Sequence, residues 1–155
     1  MLAAIRPDSW NFPLLLHVVG ATVLVGGLVV AVAAQFLGWR RPDDAAAFGR
    51  VAFRALLFVA FPAWWVMRVG GQWIYSKEGL DELDPEPGWV GVGFVTADFG
   101  GLLLLVSIVL AGLGARRLSR TGGESSLLAR IATVLVAVVL VAYLVAMWAM
   151  TAKPD

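Results

Sequence analysis

Cysteine is absent from this sequence of 155 residues. Its absence removes disulfides, thiolate metal sites, iron–sulfur clusters, thiol nucleophiles and haem attached through cysteine. Histidine is nearly absent. His17 is the single one, so one chain cannot form a bis-histidine site. Charge is scarce too: Asp, Glu, Lys and Arg make up 15% of the residues, against about 25% in a typical soluble domain. The net charge of +1, with no basic–aromatic stretch, speaks against a nucleic-acid partner. No paired carboxylates lie within an apolar segment and no nucleophile–base pair is evident, so enzymatic chemistry has little support. The Gly-rich stretch 88–101 lacks the lysine of a phosphate loop and is expected outside the membrane.

Apolar residues make up 60% of the chain, and mean hydropathy is +0.83. Crossing about 30 Å of hydrocarbon takes roughly 20 apolar residues as helix. Four segments meet that requirement, at about 13–38, 48–75, 94–115 and 127–150. Pro13 suits a first helical turn, and Ser125 or Ser126 is a plausible N-cap for the last span. The first segment is too long for a signal-peptide core and lacks a basic leader, so it reads as a retained helix. Short links and the lack of an internal repeat predict an all-α fold. It is a polytopic membrane protein, with residues 1–155 forming one up-down-up-down four-helix transmembrane bundle.

Arginine is unevenly distributed. Arg40, Arg41, Arg50 and Arg54 surround the first link, and Arg116, Arg117, Arg120 and Arg130 the third. The middle link carries Lys77, with Arg68 before it, against Glu78, Asp81, Glu82, Asp84 and Glu86. The positive-inside rule then places links one and three in the cytoplasm and both termini outside a cell (inner) membrane. Trp10, Trp64, Trp65, Trp73, Trp89 and Trp148 fall toward the outer side, as interfacial anchors do, and Trp39 toward the inner.

At about 100° per residue, His17 shares a face with Gly20, Ala21, Leu24, Leu28, Ala31 and Gln35, with Gly27 at its edge. Small residues on that stripe admit a neighbouring helix. The opposite face, including Val19, Val23, Val30 and Val32, is lipid-like. His17 is therefore expected inside the bundle, near Met67 or near Tyr143 and Met147. An intramembrane ionisable residue is by default a functional candidate; the plainer alternative is a buried neutral ring bonded to a carbonyl or hydroxyl. Only thirteen uncharged residues separate Arg54 from Arg68, about 20 Å of helix. Arg68 then either pairs with Asp98 or simply sits at the surface of a helix that ends at Gly70–Gly71. Pro62 is expected to kink the second span, and a kink can open room for a cofactor or a lipid. Thr96 or Asp98 is a possible cap of the third span. In that span Gly101, Ile108 and Gly112, and likewise Gly100, Ser107 and Gly114, read as packing faces.

The stretch Leu16-His17-x-x-Gly20-Ala21, followed by Gly26-Gly27, resembles the first helix of a family of small bacterial four-helix membrane proteins. It is more distantly similar to CopD-like copper-resistance membrane proteins, over about fifteen residues. That resemblance implies copper handling or a haem-like redox role near the outer face. Of the histidines such a site uses, His17 alone is present. Three functions remain open. The first is a bundle binding haem, copper or another ligand, with His17, Met67 and Met147 as metal ligands and Arg68 and Tyr143 beside them; thioethers and imidazole suit copper(I), and a His/Met pair suits haem iron. The second is a non-catalytic accessory or packing subunit of a larger membrane complex. The third is an oligomeric transporter or channel. The lipid bilayer is the expected environment, with a homo-oligomer or a larger complex as possible assemblies.

Overall fold

The computed structural model describes residues 11–82, 88–121 and 127–152. These residues form five α-helices: α1 (Asn11–Arg40), α2 (Ala45–Ala55), α3 (Phe61–Lys77), α4 (Gly88–Thr121) and α5 (Leu127–Ala152). A π-helical turn, Leu56–Ala60, joins α2 to α3, so the two read as one second span. Four helical segments are thus long and apolar enough to cross a membrane. They form an all-α four-helix bundle, that of a multi-pass membrane protein. Each span packs on its neighbours in chain order, and α5 closes the ring against α1.

The helices outrun their apolar cores. α1 has 30 residues and α4 has 34, about 45 and 50 Å of helix. Backbone hydrogen bonding does not stop at the hydrocarbon boundary, so α4 continues through Arg116, Arg117 and Arg120. Its first turns contain the Gly-rich stretch expected to lie apart from the spans. Asp98 lies well inside α4, so neither Thr96 nor Asp98 is its cap. The first link shrinks to Arg41 and a 3-10 turn at Pro42–Asp44. The second span runs past Gly70–Gly71 to Lys77, and Gly79, with φ of 63°, follows it in the left-handed region. Ser125, Ser126 and Trp10 lie outside the described residues.

Pro62 neither stops the second span nor opens its cavity. Proline has no N–H and clashes with the carbonyl four residues back. The chain accommodates it with a wide turn just ahead, where the Phe61 N–H reaches back to Leu56 O. That turn presses on α1: a Cβ added at Gly27 would lie 3.1 Å from Ala60 N. Mid-bundle, Leu24, Leu28, Leu56, Leu104, Val136 and Val139 are fully buried. The His17 stripe is buried at Gly20, Leu24, Gly27, Leu28, Ala31 and Gln35, while Val19, Val23 and Val30 are exposed. Val32, expected on the lipid face, is partly buried against the core instead.

Candidate functional site

The site begins with two helix backbones in close contact. A Cβ added at Gly20 of α1 would fall 2.5 Å from Met67 N, and one at Gly70 of α3 would fall 2.7 Å from His17 N. Only glycine admits such an approach. It brings His17 Nδ1 to 2.9 Å from Met67 O. In a helix the residue four positions on covers a carbonyl; here that residue is Gly71. A Cβ there would lie 3.0 Å from His17 Nδ1 and 3.2 Å from Cε1. Gly71 therefore clears the way for the ring.

The partner fixes the proton. A carbonyl only accepts, so Nδ1 carries the hydrogen and donates it. In the neutral ring Nε2 then keeps its lone pair. His17 makes no other hydrogen bond among the described residues, and Nε2 is not sealed from the surface. Histidine ligands commonly have their far nitrogen anchored on a backbone oxygen in this way.

His17 borders a cavity of about 380 Å³ at the end of the bundle where the helices nearest the termini lie. All four spans contribute to its wall. Met67, Arg68, Tyr143 and Met147 border it as well, so the five residues singled out from the sequence meet at one cavity. Met67 is buried and Met147 is exposed. Met150 joins the wall, its Cε packed onto Gly93. The lining is largely apolar with a few polar groups, the usual character of a small-molecule site. Among the described residues there is no group of three or more His, Cys, Asp or Glu side chains suited to a metal. An ion here would depend on one imidazole and the thioethers.

Arg68 and Asp98 form an ion pair at the cavity margin, Nε to Oδ1 2.9 Å. Arg68 Nη1 also donates to Gln72 Oε1 at 2.9 Å, and the guanidinium lies 5.0 Å from the centre of the Phe94 ring. The side chains are 24% and 58% exposed, so this pair is at the bundle surface, not in its core. It uses two of the five guanidinium N–H groups.

Trp64, expected among the interfacial anchors, is half-buried against the core. A Cβ at Gly101 would run into its indole, and Nε1 donates to Ala97 O at 2.9 Å. Beside it Tyr143, 3% exposed, sets its hydroxyl against Gly100, where a Cβ would come within 2.8 Å. With the indole N–H committed, that hydroxyl has no hydrogen-bond partner among the described residues. The pair Gly100–Gly101 was the available signal: adjacent glycines, about 100° apart around the helix, open two neighbouring faces of α4, one to each ring.

No protein-family model, curated protein or solved structure matches the chain.

Proposed function

We propose that this protein binds a ligand in the membrane, holding it in the cavity near the termini through Nε2 of His17. One observation carries the reading. The Nδ1–H of His17 is donated to Met67 O, which leaves Nε2 without a hydrogen-bond partner among the described residues, on a ring that borders a cavity walled by all four spans. A haem iron or a copper(I) ion matches the Nε2 lone pair and the thioethers of Met67 and Met147, residues of the same cavity wall. Arg68 keeps three N–H groups for the carboxylates of such a ligand. The arginine asymmetry supports a cavity that opens on the outer face of a bacterial inner membrane.

The test is an absorption spectrum and metal analysis of the purified protein, on wild type and His17→Asn. Asparagine retains a donor near the Nδ1 position and deletes Nε2. A Soret band or bound copper, lost in His17→Asn at unchanged helix content, is the expected result. Wild-type protein that takes up neither haem nor copper(I) when supplied would overturn the metal and haem form of this reading.

A further inference from the structure

The tautomer of His17 restricts what its cavity can hold. With Nδ1–H donated to Met67 O, the neutral ring offers a ligand one acceptor and no donor. Metal ions aside, a partner for Nε2 must bring its own O–H or N–H. The wall itself is uneven. Among the described residues its exposed members are Val18 and Thr22 on α1 and Met147 and Thr151 on α5. Thr22 Oγ1 donates to Val18 O at 2.8 Å, and Thr151 Oγ1 to Met147 O at 2.7 Å. Each hydroxyl is thus satisfied within its own helix, and this edge of the cavity presents apolar surface to the bilayer. A second cavity, of about 630 Å³, borders Gln35 at the arginine-rich end. There Gln35 Oε1 is sealed and out of a ligand's reach.

In the ring of four spans, α3 and α4 stand across from α1 and α5, and their part of the His17 cavity is different. It brings three aromatic residues to the wall, Tyr75 from α3 and Trp89 and Phe94 from α4. Tyr75 and Phe94 meet edge to face, with ring centres 4.8 Å apart. Aromatic walls favour a flat π system. The volume of about 380 Å³ is near the lower end for small-molecule sites, about 300–1,000 Å³. It suits one substituted ring whose tail stays in the bilayer. A ligand that meets every condition has a flat ring, a hydroxyl on that ring and a long apolar tail.

We infer that the His17 cavity binds a membrane quinol, a hydroquinone ring on an apolar tail, with one ring hydroxyl donating to Nε2 and the tail leaving between α1 and α5. This rests on the reading that Nε2 of His17 is the contact atom, and it names a ligand for that atom that needs no metal. Quinol and metal exclude one another there, because both use the same lone pair. The preferred redox state follows from the hydrogen. The quinol has O–H groups to donate. The oxidised quinone has carbonyl oxygens, which only accept, and would set lone pair against lone pair. The site therefore favours the reduced form.

The experiment uses the full chain in nanodiscs, without oxygen, at about pH 8, where imidazole is ordinarily neutral. Decylubiquinol and decylubiquinone are titrated separately, and the amount bound beyond that in empty discs is measured by extraction and chromatography. Quinol should bind about tenfold more tightly than quinone. His17→Asn should erase that difference. Thr22→Phe, which sets a ring in the edge between α1 and α5, should weaken quinol binding about tenfold. Val19→Phe, exposed on α1 but off the cavity wall, should not. Should His17→Asn fail to fold, the quinol-to-quinone ratio and the contrast between the two phenylalanine variants decide alone. Equal affinity for quinone overturns the inference, as does equal affinity for decanol, which has a tail and a hydroxyl but no ring. An equal loss in Val19→Phe also overturns it. Uptake of haem or copper(I) without quinol binding overturns it and leaves the His17 reading standing. A quinol preference that His17→Asn leaves unchanged overturns both.

Discussion

His17 Nδ1 and Met67 O lie 2.9 Å apart although fifty residues separate them in the chain. The bond exists because α1 and α3 touch backbone to backbone at Gly20 and Gly70, and because Gly71 presents no side chain over the carbonyl. Position, tautomer and orientation of the ring thus all follow from three glycines. The same bond would serve a purely structural imidazole. What separates the two roles is the other nitrogen.

His17→Ala deletes both nitrogens. Loss of the single hydrogen bond should cost about 0.5–1.5 kcal/mol, visible as a lower thermal midpoint. His17→Asn should recover most of that stability. If ligand retention does not recover with it, Nε2 is the ligating atom.

The glycine contact predicts steep size dependence. Gly20→Val places a Cβ where Met67 N already is, 2.5 Å away. Overpacking of this kind costs about 1–3 kcal/mol or more. Gly26→Val is the control, since a Cβ there meets nothing within 4 Å, and its effect should stay within about 0.5 kcal/mol. Equal destabilisation by both would refute the close crossing.

For Arg68 and Asp98, exposure decides the magnitude. A pair this open to the surroundings contributes within about 1 kcal/mol, far below the loss on breaking a buried pair. Asp98→Asn should therefore unfold close to wild type. A large loss, rescued by exchanging the two charges, would instead show that the pair lies in a low-dielectric setting.

Tyr143→Phe tests the orphan hydroxyl. Its removal eliminates a shielded polar atom without a partner, so the variant should be as stable as wild type or more so by about 1 kcal/mol. A loss of that size would reveal a bond made by this hydroxyl.

Sidedness is checked with cysteines at Ser76 and Ser119, both exposed and at opposite ends of the bundle. An impermeant thiol reagent on intact cells should label the first and spare the second. Labelling of Ser119→Cys alone would invert the orientation.

The four spans were legible because long uncharged runs have no other stable home. Their ends were not: Gly88, Gly91 and Gly93 read as loop, yet they open α4. The inward face of α1 followed from helical periodicity at Leu24, Leu28, Ala31 and Gln35. The cavities did not. An empty volume is set by side chains from four helices at one level, and no single helix encodes it. Trp64 illustrates the same limit, since an indole at an interface and one seated on Gly101 look alike in one dimension. The helix is disturbed just ahead of Pro62. The disturbance is a widened turn against Gly27, away from either cavity.

The layer between the two cavities has an electrical meaning. Leu28, Leu56, Leu104, Val136 and Val139 are fully buried there, and the buried serine at that level, Ser107, gives its proton to Leu103 O at 2.7 Å. A charge driven along the bundle axis would leave one polar end, lose its hydration in hydrocarbon packing, and find no dipole to replace it before the other. Among the described residues no charged side chain is buried at that level, so any path for ions through a single copy would cross aliphatic packing.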